Sequence, residues 1–131
     1  MVPGCLALQI LHFVAAAVVH DGQILACRRK RGPSAGGLWE FPGGKIDPDE
    51  RPADALAREI LEELDVAIEV GELLHRVTTL VDGMGIDLHG FRATLKNTVP
   101  TRSTDHRALR WLRPAELHDL DWAPPDWPLH E

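Results

Sequence analysis

One stretch of the chain decides its fold, and it reads GKIDPDERPADALAREILEELDV at residues 44–66. Apolar side chains recur there with the spacing of one helix face, at Leu56, Ile60 and Leu64. Pro52 suits the first helical position, because the first N–H of a helix needs no partner within it. The pattern predicts a helix over residues 53–64, preceded by a loop rich in glycine, proline and acids.

Three acids share one face of this predicted helix. Glu59, Glu62 and Glu63 are spaced three and four residues apart, so their carboxylates are neighbours that repel one another. A solvated acidic face opposite the apolar stripe is what such charge runs usually are. A cation site is the alternative, and periodicity does not decide between the two.

The preceding loop favours the cation site. Three close carboxylates and a backbone carbonyl from a glycine-rich turn supply hard oxygen ligands, which Mg²⁺ and Mn²⁺ prefer. An ion held in this way would bridge a phosphate chain and activate a water molecule.

Composition limits the remaining alternatives. The chain has 131 residues, which suits one domain, and a formal net charge of −6, which argues against a nucleic-acid polymer or an anionic membrane as partner. Residues 40–65 hold nine acids and three bases, so this segment alone carries the whole net charge. The longest apolar run, residues 13–19, is too short to span a membrane. Two cysteines without CxxC spacing indicate reduced thiols in the cytoplasm.

The rest of the chain shows a mixed α/β pattern. Asp21-Gly22 predicts a tight turn that joins strands over residues 9–19 and 23–29. Further strands are predicted at 66–81, 86–95 and 107–112, with a turn at 82–85 and a helix from Pro114 through Leu120. We therefore expect a short tail at 1–8 and one domain at 9–131.

Residues 44–66 resemble the Nudix box, G-x5-E-x7-R-E-U-x-E-E-x-G-U, in which U is a bulky aliphatic residue. The matching positions are Gly44, Glu50, Arg58, Glu59, Ile60, Glu62, Glu63 and Val66. Asp65 departs from it, since the family has glycine there to end the helix. The flanking segments LWEFPGGK at 38–45, DHRALRW at 105–111 and DWAPPDWP at 121–128 are similar to the MutT-type branch.

This resemblance implies an α/β/α sandwich with a central mixed sheet and a Mg²⁺-dependent hydrolase in which Mn²⁺ can substitute. The implied metal ligands are the Gly43 carbonyl, Glu59, Glu62, Glu63 and Asp105. Glu50 and Arg58 are implied to pin the loop to the helix. Arg29 matches a phosphate-side arginine, Phe41 a base-contacting aromatic residue, and Asp126 a residue that hydrogen-bonds the base edge.

The reaction implied by the resemblance is hydrolysis of a nucleoside triphosphate to the monophosphate and pyrophosphate. Asp126 is a carboxylate that accepts from cytosine or from oxidised guanine, so 8-oxo-dGTP, dCTP and 5-methyl-dCTP are all candidates. Glu59, Glu62 and Asp105 are alternative general bases. A non-catalytic nucleotide-binding or sensor module with the same fold is the other functional class, and a monomer and a homodimer are equally compatible with the sequence.

Overall fold

The computed structural model describes residues 9–29, 37–103 and 106–122, without the side chains of residues 106 and 107. The strands and helices follow one another as β1 (Ile10–His20), β2 (Gln23–Arg29), β3 (Trp39–Glu40), β4 (Gly43–Lys45), α1 (Pro52–Leu64), β5 (Ile68–Val81), β6 (Met84–Leu95), β7 (His106–Leu112) and a 3₁₀ helix (Pro114–Asp119).

The first two strands form the predicted hairpin. β1 and β2 are antiparallel, and His20 pairs with Gln23 across a two-residue turn. Asp21 and Gly22 in that turn both have positive φ, 50° and 75°. Two positive φ values in succession are what a tight turn matching the twist of the strands requires, which explains the Asp-Gly pair.

The described strands form one mixed sheet, as predicted. Five of them lie in the order β3-β2-β1-β6-β5, while β4 pairs with β1 and β7 pairs with β2. β1 runs parallel to β6 over ten paired positions and antiparallel to β4. β1 therefore pairs both with β4, which leads into the loop before α1, and with β6, which pairs in turn with β5.

Two details of the predicted elements are corrected. The turn between β5 and β6 consists of Asp82 and Gly83 alone, because Met84 and Gly85 already belong to β6. The helix expected from Pro114 is a short 3₁₀ helix that ends at Asp119. Glu116 makes a hydrogen bond back to the Arg113 N–H, at 2.8 Å, which closes the first turn of that helix.

The sheet has a core on each face, in agreement with the predicted α/β/α arrangement. The first core joins β1 to α1 through Val14, Ala16, Val18, Leu56, Ile60 and Leu64. The second core, on the opposite face, contains Ala15, Phe41, Leu88, Leu117 and Trp122. Within the described residues, no helix combines the length and apolarity that crossing a membrane requires.

Helix α1 begins and ends with weak caps. Arg51 at its N-terminus makes no side-chain capping bond, and Asp65 at its C-terminus has φ 56° and ψ 37°. The Asp65 N–H donates to the carbonyl of Leu61, at 3.0 Å. Asp65 thus adopts the left-handed conformation that glycine adopts without strain, and it adds a negative charge at the negative end of the helix.

We expect the substitution Asp65→Gly to raise the free energy of unfolding by about 1 kcal/mol, because it removes both unfavourable terms. Urea unfolding measures the difference. The matched control is Asp54→Gly, in the first turn of the same helix. There the carboxylate is favourable and glycine is a poor helix former, so stability should fall. If both variants shift stability in the same direction, this account of Asp65 is wrong.

Candidate active site

The loop before α1 is pinned to the helix by Arg58. Its Nε donates to Glu50 Oε2 at 2.8 Å, and its Nη2 donates to Glu50 Oε1 at 3.0 Å. Nη2 also donates to the backbone carbonyl of Lys45, at 3.1 Å. The Glu50 carboxylate in turn accepts from the Asp47 N–H, at 3.1 Å. The structure therefore brings together the two residues expected to join loop and helix, in a two-pronged ion pair that fixes both orientation and distance.

The same guanidinium reaches the acids of the helix. Arg58 Nη1 donates to Glu59 Oε2 at 3.0 Å and to Glu62 Oε2 at 3.2 Å. Its hydrogen bonds lower the pKa of the Glu50 carboxyl, while Glu50 and Glu59 raise the pKa of Arg58. Arg58 therefore stays charged and orients three carboxylates at once.

Two glycines allow the loop to approach its neighbours closely. A Cβ built on Gly44 would lie 2.3 Å from Glu59 Cδ and 2.4 Å from Glu59 Oε1. A Cβ on Gly43 would lie 2.0 Å from the carbonyl oxygen of Val14 on β1. The Glu59 carboxylate thus occupies the space that any side chain at position 44 would need.

The three helix acids differ in burial, which corrects the expectation that they lie opposite the apolar stripe. The side chain of Glu62 is 59% exposed and that of Glu59 is 17% exposed, whereas Glu63 is only 4% exposed. Glu63 is buried because it lies beside Ile60 and Leu64 on the helix. Leu61, on the same helix, is 54% exposed.

This burial makes the acids suited to a divalent cation. Burial raises the pKa of the Glu59 carboxyl against the opposing effect of Arg58, and Glu59 also shares a hydrogen bond with Glu63. Neighbouring carboxylates that are partly buried cannot all be charged cheaply without further positive charge. Their oxygen atoms are the ligands that hard divalent ions prefer. The donor set and its burial therefore fit such an ion.

An open cavity of about 780 Å³ adjoins the C-terminal end of α1. Residues 61–66 line one side of it and residues 98–103 line the other. Glu62 and Glu63 belong to its wall, so this space adjoins two of the candidate metal ligands.

The residues expected to contact substrate are described only in part. Arg29 ends β2, and its Nε lies 3.5 Å from Glu40 Oε1. Phe41 is 3% exposed and stacks on Trp122, with ring centroids 4.6 Å apart. Asp105 and Asp126, the other two candidates, lie outside the described residues.

One cluster of charged residues was not predicted from the sequence. His12 Nδ1 lies 3.0 Å from Asp87 Oδ2, and His89 Nε2 lies 3.6 Å from the same oxygen. Arg76 Nη2 donates to that oxygen at 3.0 Å. A search for closely spaced histidine pairs misses this group, because His12 is 75 residues from Asp87. The available signal was the D-x-H alternation at 87–89, which places both side chains on one face of a strand.

A family model described as the NUDIX domain matches residues 10–131. The chain belongs to the Nudix family. It is 38% identical over 129 residues to a protein named CTP pyrophosphohydrolase from Escherichia coli (strain K12), with 95% of this chain and 91% of that one covered. It is 41% identical over 121 residues to "Putative 8-oxo-dGTP diphosphatase 2" from Mycobacterium tuberculosis (strain ATCC 25618 / H37Rv), with 86% of this chain and 80% of that one covered.

A solved structure agrees with this membership. The crystal structure of a MutT NUDIX hydrolase from Burkholderia pseudomallei superimposes with a TM-score of 0.76 at 35% identity, covering 83% of this chain and 87% of that one. The predicted family, fold class and enzyme class are thereby confirmed: the chain is an α/β Nudix hydrolase. Nudix hydrolases act on small nucleotide substrates and generally use a divalent metal.

We expect Gly44→Ala to lower kcat/KM about 100-fold or more, because the new methyl group displaces the Glu59 carboxylate from its place against the loop. Steady-state hydrolysis and circular dichroism measure activity and folding side by side. The control is Gly83→Ala in the β5–β6 turn, where a Cβ meets nothing within 4 Å but φ is +79°. That variant should lose stability, of the order of 1 kcal/mol, and keep its activity. Full activity in Gly44→Ala contradicts the assignment of Glu59 to the site.

Proposed function

We propose that this Nudix hydrolase cleaves nucleoside triphosphates to the monophosphate and pyrophosphate with Mg²⁺, as an enzyme that sanitises the nucleotide pool. The observation that carries the proposal is the arrangement of acids around Arg58, with Glu50, Glu59 and Glu62 all hydrogen-bonded to one guanidinium. A sensor module has no need of a complete ligand set, whereas metal-assisted hydrolysis does. The enzyme is therefore preferred to the non-catalytic alternative.

We assign the metal to Glu59, Glu62, Glu63 and the carbonyl of Gly43, with Asp105 as a further ligand. Their oxygen donors favour Mg²⁺, for which Mn²⁺ can substitute. When bound, the ion supplies positive charge to the phosphate oxygens and makes the attacking water more acidic.

We assign the remaining roles in the reaction to Arg58, Glu59 and Arg29. Arg58 orients the carboxylates and holds Glu59 and Glu62 on the same nitrogen, Nη1. Glu59 is the base that we assign to the water proton, because its carboxylate is 17% exposed and lies against Gly44 of the loop. Arg29, whose side chain is 45% exposed, is assigned to the phosphate chain.

The base of the substrate is assigned to the side of the sheet that carries Phe41. Phe41 and Trp122 form a stacked pair there, and the Trp39 N–H donates to the carbonyl of Asp121, at 2.8 Å. Asp121 and Trp122, which precede Asp126 in the chain, are thus held beside Phe41.

Two arguments bear on which nucleobase the substrate carries. The relatives named above carry the names CTP pyrophosphohydrolase and 8-oxo-dGTP diphosphatase, so cytosine and oxidised guanine are the bases to compare. A carboxylate at position 126 accepts hydrogen bonds from the amino group of either base but donates none. We further propose that the enzyme acts on free nucleotides in the cytoplasm, with no nucleic-acid polymer or membrane as partner.

We expect Glu59→Gln and Glu62→Gln each to reduce kcat by about 100-fold or more while the fold is retained, because each removes a negative ligand without changing its shape. The measurement is pyrophosphate release in excess Mg²⁺. Glu72→Gln on β5 is the matched control, since that acid is exposed and lies outside the box. Near-normal turnover in both box variants overturns the metal assignment.

The substrate class is tested by a panel of 8-oxo-dGTP, dGTP, dCTP, CTP and 5-methyl-dCTP with Mg²⁺. We expect pyrophosphate as a product, with kcat/KM for an oxidised guanine or a cytosine substrate at least about 10-fold above that for dGTP, the discrimination that one changed base contact provides. Release of orthophosphate instead of pyrophosphate contradicts the proposed bond cleavage. Binding without release from any member favours the sensor module.

A further inference from the structure

Three ligand-bearing side chains, none of them part of the Nudix box, converge on the α1 face of the sheet. One nitrogen each from His12 and His89 and one oxygen from Asp87 all lie within 4.8 Å of one another. Asp87 is 7% exposed and His89 12% exposed, while the His12 side chain is 55% exposed. The cluster therefore has a buried floor and one side open to solvent.

Paired strands hold these three residues in place. His12 on β1 and Asp87 on β6 are direct register partners in the parallel ladder, and Val14 pairs with His89 two positions later. Alternate residues of a strand point to the same face, so the three side chains emerge together from two adjacent strands. A site on strands is held more rigidly than one on loops.

The distances fit a tetrahedral metal ion. An ion that binds nitrogen and oxygen at about 2.1 Å holds its ligand atoms roughly 3.4 Å apart. The observed separations from Asp87 Oδ2 are 3.0 Å to His12 Nδ1 and 3.6 Å to His89 Nε2. Small side-chain rotations are sufficient to bring all three to bonding distance.

Arg76 supplies the contact that orients the carboxylate. Its Nε donates to Asp87 Oδ1 at 3.3 Å, and its Nη2 donates to Oδ2 at 3.0 Å. The bond from Nε to Oδ1 can persist while Oδ2 binds an ion, whereas the bond from Nη2 to Oδ2 gives way to that ion. Metal-binding carboxylates are commonly held by an outer hydrogen bond of this kind.

We propose that His12, Asp87 and His89 form a second metal site that binds a zinc-type divalent ion. Two imidazoles and one carboxylate suit Zn²⁺ and leave a fourth position for water, whereas Mg²⁺ prefers oxygen ligands alone. The two sites of the chain therefore select different metals. A plain ion-pair network around Asp87, with no affinity for metal, is the competing explanation.

The test is calorimetric titration of Zn²⁺ into the wild-type protein in excess Mg²⁺, which competes with Zn²⁺ for the acidic site of the box. We expect one Zn²⁺ per chain in the wild type and at least about 10-fold weaker binding in His12→Ala, because one of three ligands is gone. His12 is exposed, so its removal spares the core. His75→Ala is the matched control, since that exposed histidine of β5 lies outside the cluster.

Two further measurements locate the ion independently of activity. Zn²⁺ should shift the imidazole NMR signals of His12 and His89 and leave those of His75 unchanged. It should also raise the melting temperature of the wild type and of His75→Ala but not of His12→Ala, since only a ligand of the folded state stabilises it. Equal Zn²⁺ affinity in all three proteins, or unshifted signals of His12 and His89, overturns the proposal.

Discussion

The guanidinium of Arg58 lies within 3.5 Å of four carboxylates, those of Asp47, Glu50, Glu59 and Glu62. One positive charge cannot offset four negative charges, so the loop and the helix meet with excess negative charge at their junction. In the partly buried part of this junction that excess is costly, because neighbouring charges there are poorly screened. A further cation bound at this junction would offset that excess and so tie the folding of this region to its chemistry.

The second constraint is steric. Gly43 and Gly44 bring β4 so close to β1 and to Glu59 that no side chain fits at either position. The glycine that opens the Nudix box is therefore explained by a carboxylate and not by a special backbone angle, since Gly44 does not have a positive φ. The close approach of β4 therefore determines how near the Glu59 carboxylate lies to the backbone of the loop.

The sequence predicted the elements of the fold well where periodicity and turn chemistry agreed. The α1 pattern, the Asp-Gly hairpin and the late strand all lie where expected, because each depends on neighbouring residues. The burial of Glu63 was not foreseen, since its position on the helix edge depends on how far the sheet extends beneath it. The meeting of His12 with Asp87 depends on a parallel pairing of strands distant in the chain, which local pattern does not contain. The short 3₁₀ helix likewise owes its length to packing of Leu117 in the second core.

β1 supplies both cores from one continuous run of small and branched residues, with Val14 facing the helix and Ala15 facing the aromatic cluster. Its register is held at the same time by β4 on one edge and by β6 on the other. Insertion or deletion of a single residue would exchange the two faces and send the side chain meant for one core into the other. The length of β1 is consequently constrained by both faces of the sheet at once, whereas a substitution within it changes the packing of one face only.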